Sequence, residues 1–385
     1  MVVRKAHSLT GRITYDLALK AFTAVKKNRG AAGIDKVSIA MFARHLEQNL
    51  TKLVKNLKSG AYRPMPLRRH YIEKAPGKLR PLGIPAVRDR VAQEIIRTLI
   101  EPLFEPYFST FSYGFRPERG CHQAIRMLLE FRKHGYRILL DADIQSFFDN
   151  IPHALIMKLV AQRIADGNIL RILQRFLTSG VMEDGVLQKT ILGTPQGGVI
   201  SPLLANIVLD VLDKELAKHG YAFVRYADDF LVLAKTQPEI ERALVLVRGV
   251  IEGKLELKLS PEKTKIVTFA GGGFDFLGFH FSHNGVTMRK KSTERLKEKI
   301  KMLTIRSHNF SHDAIQEINR VLRGVANYYA TDFSTVKTQF FKFDQTLRRR
   351  LRCMKEKRIS AAQNQRISNR FLERKGLVSL YAMAV

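Results

Sequence analysis

Apolar residues recur every three or four positions in the first sixty residues, which is the spacing of one buried helix face. They are Leu17, Ala21 and Val25, followed by Phe42, Leu46, Leu50 and Leu53. This spacing predicts helices over 14–28 and 39–58. The segment 30–35 between them carries two glycines and is predicted to be a flexible loop.

A hairpin is predicted over 67–85, because two extended runs flank Pro76-Gly77, a pair that suits a type II turn. Helical spacing resumes over 88–103. Residues 139–144 have the composition of a strand. The next helix is predicted to begin near Pro152, with Asn150 as its N-terminal cap.

A further helix is predicted to open at Ser201-Pro202, a capping residue followed by one that suits a first helical turn. Its apolar stripe consists of Leu204, Ile207, Val208, Val211 and Leu212. Residues 222–233 favour two short strands that meet at Asp228-Asp229. A strand near 265–269 and a hairpin around 276–279 follow, and from Thr293 onward the pattern is helical and basic.

The charge balance indicates the class of partner. The chain has 385 residues, of which 65 are Lys or Arg and 35 are Asp or Glu, for a net charge of +30. This excess favours a polyanion, nucleic acid first and an anionic membrane surface second. Residues 286–385 hold 23 basic and 8 acidic residues, a net +15, which predicts a nucleic-acid clamp in this segment.

Membrane insertion and secretion are not expected. No run approaches the roughly 18 consecutive apolar residues of a spanning helix, and the first residues lack the apolar core of a secretory signal. Cys121 and Cys353 lie far apart and outside any CxxC pattern, so neither a disulfide framework nor a cysteine zinc site is expected. A reducing compartment fits, namely the cytoplasm, with nucleoid association in a bacterium.

Carboxylates are concentrated in apolar strands. Asp141 and Asp143 lie two apart and therefore share one face of their strand. Asp228 and Asp229 occupy the predicted two-residue turn, where Asn-Gly or Asp-Gly is usual. A solvated surface turn is the alternative for such a pair taken alone. Carboxylates brought together repel unless cations neutralise them, so a shared site implies bound metal.

Several blocks resemble the group II intron-encoded reverse transcriptases. The segment Tyr226-Ala227-Asp228-Asp229 is similar to their catalytic hairpin, and Asp143 with Phe147-Phe148-Asp149 is similar to their first metal-binding motif. Residues 193–207, Gly-Thr-Pro-Gln-Gly-Gly-Val-Ile-Ser-Pro-Leu-Leu-Ala-Asn-Ile, match a motif of that family almost word for word. The blocks also follow the family's order along the chain.

The resemblance implies an α+β fold of the right-hand polymerase type, with fingers, a palm built on an antiparallel sheet, and a helical thumb. We expect an N-terminal extension with a template-covering loop at 1–60. Fingers and palm are expected at 61–285. A basic helical thumb, similar to domain X of maturases, is expected at 286–385.

The same resemblance assigns catalysis to Asp143, Asp228 and Asp229, and metal binding to these three residues and Ile144. Hard oxygen ligands favour Mg²⁺, for which Mn²⁺ can substitute. Two such ions can activate a primer 3′-hydroxyl and stabilise the leaving pyrophosphate, a mechanism known from polymerases.

Nucleotide contacts also follow from the resemblance. Lys74 and Arg80 are similar to the pair that grips the triphosphate, with a solvated basic hairpin as the alternative. Phe148 is similar to the ring that excludes a 2′-hydroxyl, with a core position as the alternative. Gln196 is expected beside the incoming nucleotide. The lysine near the triphosphate is expected to be Lys265 or Lys263.

Nucleic-acid contacts are expected from five arginines: Arg116, Arg225, Arg348, Arg349 and Arg350. Arg116 lies in Phe115-Arg116-Pro117, which resembles a template-contacting element. The three consecutive arginines, 348–350, lie in the basic clamp, and a solvent-facing run is their alternative.

The function implied is that of an RNA-directed DNA polymerase, which extends a DNA or RNA primer on an RNA template, and DNA is a second candidate template. A maturase that binds its parent intron RNA is compatible with this function. A free-standing enzyme in repair or defence is a further alternative, whereas Phe148 disfavours an RNA-dependent RNA polymerase. No segment after the thumb resembles a nuclease, so an endonuclease activity is not expected. The oligomeric state is left open.

Overall fold

The computed structural model describes residues 5–75, 77–183, 185–188, 191–194, 197–359 and 366–385. The chain forms two compact units, 1–266 and 267–385. Helices and mostly antiparallel sheets make up both units, which confirms the predicted α+β class. The division into fingers, palm and thumb at 60/61 and 285/286 stays a prediction.

Helices dominate the first unit. They are α1 (Tyr15–Lys27), α2 (Ile39–Arg44), α3 (Leu46–Ser59), α4 (Val87–Phe104), α5 (Cys121–Lys133), α6 (Phe147–Asn150), α7 (His153–Val160), α8 (Gly167–Leu177), α9 (Ser201–Lys218) and α10 (Gln237–Arg248). A π-helix, Gly249–Lys254, continues α10. The single helix predicted over 39–58 is wrong, because the chain leaves helical geometry at His45 (φ −122°, ψ 43°).

Helix α9 is buried on almost every side, which explains why its apolar residues extend beyond one stripe. Its N-cap is Ile200, so Ser201 and Pro202 lie inside the first turn rather than before it. Proline is tolerated there because the first amides of a helix have no partner within the helix. Four polar residues are buried on α9 among the apolar ones, namely Ser201, Asn206, Asp210 and Asp213. The partners of Asn206 and Asp213 determine the geometry of the candidate site.

The central sheet of the first unit has the strand order β6-β7-β3-β8. Its strands are β3 (Ile138–Ala142), β6 (Ala222–Tyr226), β7 (Asp229–Ala234) and β8 (Lys265–Thr268), the last of which crosses into the second unit. Strand β7 is antiparallel to both β3 and β6. The two strands predicted over 222–233 and the strand predicted over 139–144 are therefore confirmed.

A second sheet has the order β2-β1-β4-β5. Its strands are β1 (Leu67–Ala75), β2 (Lys78–Ile84), β4 (Val181–Glu183) and β5 (Val186–Gln188). The antiparallel pair β1 and β2 confirms the hairpin predicted over 67–85, although Pro76 of its turn lies outside the described residues. Strand β1 also pairs with β4 in the parallel direction.

The second unit begins with a three-stranded antiparallel sheet of β9 (Phe274–Phe276), β10 (Phe279–Ser282) and β11 (Gly285–Met288). Its helices are α11 (Lys290–Leu303), α12 (His312–Tyr329), α13 (Lys337–Glu356), α14 (Asn369–Arg374) and α15 (Leu380–Met383). This sheet confirms the hairpin predicted around 276–279, and these helices confirm the helical pattern predicted from Thr293. Within the described ranges, no helix has the length and apolar character needed to cross a membrane.

Candidate active site

The hairpin of β6 and β7 carries the aspartate pair. Tyr226 pairs with Asp229, so the two turn residues are Ala227 and Asp228. The prediction that Asp228 and Asp229 together form the turn is therefore wrong by one position. Ala227 takes the left-handed conformation, with φ 57°. Alanine is an uncommon residue in this conformation, because its Cβ makes positive φ costly.

The neighbouring strand β3 brings the third aspartate to the same end of the sheet. Ala142 pairs with Phe230 in the antiparallel register of β3 and β7. Asp143 follows Ala142 at the end of β3, and Asp229 precedes Phe230 at the start of β7, directly after the turn that holds Asp228. Three aspartates from two distant parts of the sequence thus lie at the same end of the sheet.

Two lysines after the π-helix reach the carboxylates of β3. Lys263 Nζ donates a hydrogen bond to Asp143 Oδ2 at 2.7 Å. Lys265 Nζ lies 4.0 Å from Asp141 Oδ2. The backbone of 258–260 runs beside residues 143–145, which follow β3, and positions these lysines, since the Ser260 amide donates to Asp143 O at 2.8 Å. Of the two lysines that the sequence left open, Lys263 is the one that touches Asp143.

The donor chemistry of this sheet end suits a divalent cation. Asp143 already holds one cation, the Lys263 ammonium, and carboxylate oxygens are the ligands that Mg²⁺ prefers. The side chain of Ile144 carries no donor atom, so only its backbone carbonyl could bind a metal. In the part of the chain that the structure describes, no three acidic, histidine or cysteine side chains are already gathered around one point.

Arg225 is not placed to contact nucleic acid, because its side chain is 0% exposed. Its guanidinium forms a bidentate ion pair with Asp213 on α9, with Nε–Oδ1 at 2.8 Å and Nη2–Oδ2 at 2.5 Å. Its Nη1 donates to the carbonyl of Ala227 at 3.0 Å. The predicted nucleic-acid role is therefore wrong. Arg225 instead ties the aspartate turn to α9.

Asn206 extends this buried network. Its Oδ1 accepts from Arg225 Nη1 at 2.9 Å, and its Nδ2 donates to the carbonyl of Gly114 at 2.9 Å. Gly114 packs directly against the turn, since a Cβ added there would lie 2.3 Å from the amide nitrogen of Ala227. Helix α9 and the Gly114 segment thus support the turn from behind.

Arg116 is also buried, with a side chain that is 3% exposed. It pairs with Glu105 at 2.7 Å and donates to the carbonyls of Ser109 and Ser112 at 2.5 and 2.7 Å. These bonds use its donors inside the protein, so the predicted nucleic-acid contact is wrong for Arg116. The neighbouring Phe115 is 57% exposed and has φ 56°.

Phe148 is half-buried and packs against the hydrophobic core, beside the fully buried Phe147. Its backbone carbonyl accepts a hydrogen bond from the Thr194 amide at 2.7 Å. Gly193 has φ 86°, and a Cβ there would lie 2.9 Å from the Phe148 carbonyl oxygen. Only glycine fits this approach without displacing the backbone. The loop of the 193–207 motif therefore sets the position of Phe148.

His153 holds the same loop from α7. It is almost fully buried, and its Nε2 lies 2.7 Å from the carbonyl oxygen of Gly193. Burial lowers the pKa of His153, which keeps the imidazole neutral, and the carbonyl requires Nε2 to carry the proton.

The predicted cap of α7, Asn150, is wrong. Asn150 ends α6, and its amide donates to the Gln145 carbonyl at 2.9 Å.

The predicted nucleotide contacts are only partly within the described structure. Arg80 is exposed on β2, opposite Ile72. Gln196 and the side chain of Lys74 lie outside the described residues. The triphosphate grip therefore stays a prediction.

The three consecutive arginines of α13 have different surroundings. Arg349 is exposed, whereas Arg348 lies 3.5 Å from Glu373. Arg350 Nε donates to Thr304 Oγ1 at 2.6 Å, and its Nη2 donates to the carbonyls of Lys301 and Thr304 at 3.2 Å each. These carbonyls end α11, where a cation is favourable. Arg349 is the member of this triplet with its side chain in solvent.

Sequence reasoning missed the supporting residues Asp213, Gly114 and His153. Asp213 had one available signal, because it lies one helical turn from both Leu209 and Leu216, and an acidic residue on an apolar helix face needs a buried partner. Gly114 and His153 carried no such signal, since their partners lie more than thirty residues away in sequence.

Comparison with known proteins gives the family. Residues 72–281 match the family "Reverse transcriptase (RNA-dependent DNA polymerase)", and residues 293–372 match "Group II intron, maturase-specific domain". The chain is 38% identical over 294 residues to Protein YkfC of Escherichia coli, covering 66% of this chain and 77% of YkfC.

The chain is also 31% identical over 361 residues to Group II intron-encoded protein LtrA of Lactococcus lactis subsp. cremoris. That match covers 75% of this chain but 58% of LtrA, so the chain spans little more than half of this relative. Among solved structures, a chain of "Partial Cas6-RT-Cas1--Cas2 complex" is 25% identical with a TM-score of 0.41, covering 65% of this chain and 43% of that chain.

The matched family spans more than half of the chain and includes every aspartate of the sheet end described above. The second match adds the maturase-specific domain to the same polypeptide. This chain belongs to the reverse transcriptase family and is of the group II intron type.

Proposed function

We propose that this chain is an RNA-directed DNA polymerase that adds deoxynucleotides to a primer 3′ end by two-metal-ion catalysis. The observation that carries the proposal is the register of β3 and β7. The pairing of Ala142 with Phe230 supports the proposal, because Asp143 directly follows Ala142 and Asp228 and Asp229 directly precede Phe230. We infer that the three carboxylates share cations at this end of the sheet. Such a shared site is what in-line nucleotidyl transfer requires.

Asp143, Asp228, Asp229 and the backbone carbonyl of Ile144 would hold Mg²⁺, or Mn²⁺ in its place. Bound metal would supply the charge that activates the 3′-hydroxyl and stabilises the leaving pyrophosphate. Lys263 would leave Asp143 when a metal binds, because two cations at one carboxylate oxygen repel each other. Its ammonium would then be available to the triphosphate.

The protein would position its substrates with the residues around this sheet end. Phe148, fixed by the 193–194 backbone, would exclude the 2′-hydroxyl of a ribonucleotide. Arg80, together with Lys74 and Gln196, would contact the nucleotide and template. The net charge of +30 would attract the phosphates of an RNA template and a DNA or RNA primer.

A second function, binding of a parent intron RNA, is supported by the maturase-specific match at 293–372. Polymerisation and intron binding are compatible, since both need a basic surface. The excess of 23 basic over 8 acidic residues in 286–385 supplies one.

Asp228→Asn tests the polymerase proposal. The variant should lose extension of an RNA-templated primer while binding of the template–primer duplex stays close to wild type. Asp16→Asn is a matched control, since it removes one exposed carboxylate from α1 and should extend normally. An Asp228→Asn protein that extends at the wild-type rate would remove this carboxylate from the mechanism.

A further inference from the structure

A concave site of about 640 Å³ lies within the second unit, whereas the catalytic carboxylates belong to the first. Three elements form its walls: the start of α12 with Ser311 and His312, the end of α13 with Lys355, and α14 with the turn that follows it. Its volume lies within the range of small-ligand sites, which is about 300–1,000 Å³. The polymerase function proposed above does not use this site.

Aromatic rings line one side of the site. The rings of Phe310 and Phe371 lie 6.2 Å apart between centroids, with an interplanar angle of 29°. Both side chains are half-buried, so part of each ring remains accessible. Leu372 and Ile315 are fully buried next to them and anchor the two helices. The rings therefore form a fixed apolar surface at the edge of a solvent-filled concavity.

Cations surround the accessible ring. Lys355 Nζ lies 5.6 Å and Lys375 Nζ 5.8 Å from the centroid of Phe371. Arg374 also lines the site, and all three basic side chains are exposed. Among the lining residues that the structure describes, none is acidic. Positive charge and a flat apolar face thus coincide at one place.

This combination selects the ligand by chemistry. A base stacks on an aromatic face regardless of its sequence, while the adjoining phosphates pair with lysine and arginine. A base-paired duplex would present phosphates but would hide its base faces. An acidic peptide would satisfy the cations but would leave the Phe371 ring unused. An unpaired nucleotide uses both features.

We propose that the Phe310–Phe371 site binds an unpaired nucleotide of a single-stranded nucleic acid, with the base on Phe371 and its phosphates on Lys355, Arg374 and Lys375. The inference depends on the proposed function in one respect, namely that the protein binds nucleic acid. It gives the second unit a point of contact with single strands that is separate from primer extension.

The test uses the full chain, with the polymerase site filled by excess template–primer duplex. Fluorescence anisotropy would measure binding of a labelled hexaribonucleotide and of the hexadeoxynucleotide of the same sequence. Phe371→Leu, which keeps an apolar side chain but removes the aromatic face, should weaken binding about tenfold, the scale of one base–aromatic stack. The oligonucleotide that binds more tightly identifies the source of the strand.

A variant with two neutralised lysines distinguishes binding at this site from non-specific attraction to the basic surface. Lys355→Gln with Lys375→Gln should reduce the slope of log affinity against log salt by about 0.7 for each phosphate that the variant no longer neutralises. Lys26→Gln with Lys27→Gln removes the same charge from exposed positions at the end of α1, outside the basic segment 286–385, and should leave affinity within about twofold.

Two results would overturn the proposal, provided that each variant melts at the wild-type temperature. One is an unchanged affinity in Phe371→Leu. The other is an equal loss of affinity in the site pair and the control pair, which would mean diffuse charge alone. Loss of primer extension in Asp228→Asn should leave oligonucleotide binding intact, so failure of this proposal and failure of the polymerase proposal are distinguishable.

Discussion

Arg225 and Asp213 form a bidentate ion pair in which neither side chain has any exposed surface. The pair joins β6 to α9, and Arg225 also donates to the Ala227 carbonyl of the turn that holds Asp228. Desolvation of two charges costs free energy, which the attraction between them offsets. Removal of either partner leaves the other charge buried and unpaired, and this destabilises the protein. Its position behind the turn links the stability of the core to the geometry of Asp228.

Arg225→Met should lower the free energy of unfolding by roughly 3–5 kcal/mol, because it leaves the Asp213 carboxylate buried and unpaired. Urea denaturation would measure this loss of stability. Arg225→Met with Asp213→Leu should lose less than the sum of the two single changes. Additive losses would show that the two residues do not act as a pair.

Arg225→Lys keeps the charge but cannot make the bidentate pair and the Ala227 bond together. We expect a lower kcat for primer extension, with template–primer affinity and KM for the nucleotide nearly unchanged, because the turn moves while the substrate contacts remain. Single-turnover extension would measure the rate. A wild-type kcat in a folded Arg225→Lys protein would limit Arg225 to a role in stability.

Lys263→Gln should tighten divalent-metal binding, because the Lys263 ammonium competes for Asp143 Oδ2. The side chains are 58% and 28% exposed, so solvent screening limits the effect to about 1 kcal/mol, or roughly fivefold in affinity. Mn²⁺ binding without nucleotide would measure it. Lys265→Gln is the matched control and should have a smaller effect, since that lysine lies near Asp141. Weaker metal binding in Lys263→Gln would contradict the competition.

Phe148→Ala should admit ribonucleotides more readily while deoxynucleotides are still used, because the ring that would block the 2′-hydroxyl is gone. The ratio of kcat/KM for the two nucleotide classes measures this discrimination. Phe147→Leu is the control, since Phe147 is buried in the core and its replacement should preserve the ratio. Equal ratios in Phe148→Ala and wild type would assign Phe148 to packing alone.

Arg349→Gln and Arg350→Gln should have different effects, although the residues are adjacent. Arg349 is exposed, and its replacement should make the slope of log nucleic-acid affinity against log salt concentration shallower by about 0.7–0.9. Arg350 holds the end of α11, so its replacement should lower stability by about 1 kcal/mol. Affinity measured at several salt concentrations, together with thermal melting, separates the effect on binding from the effect on stability. The same salt dependence and the same melting temperature in both variants would contradict these different roles.

The sequence predicted the strands of the central sheet, the β1–β2 hairpin and the helices α1, α4, α7 and α9, because local hydrophobic spacing and capping residues carry that information. It failed where burial depends on a distant partner. A positive charge beside a motif suggested nucleic-acid contacts for Arg116 and Arg225. The partners that bury them, Glu105 and Asp213, are found only through the tertiary fold.

Predictions that were wrong by one or two positions along the chain also depended on tertiary contacts. The turn at Ala227-Asp228 was misplaced because turn propensity favours aspartate over alanine at such positions, whereas strand register decided the outcome. The choice between Lys263 and Lys265 depended on how 258–260 runs beside residues 143–145, which spacing alone does not reveal.

The close approach of Gly114 to Ala227 makes one position unusually intolerant of change. Two backbones touch there without a side chain between them, so any residue other than glycine at 114 must push the turn that carries Asp228. Random mutagenesis of the chain, with selection for polymerase activity, should therefore recover glycine at this position. The selective constraint on residue 114 would then equal that on an aspartate of the active site, although Gly114 carries no reactive group.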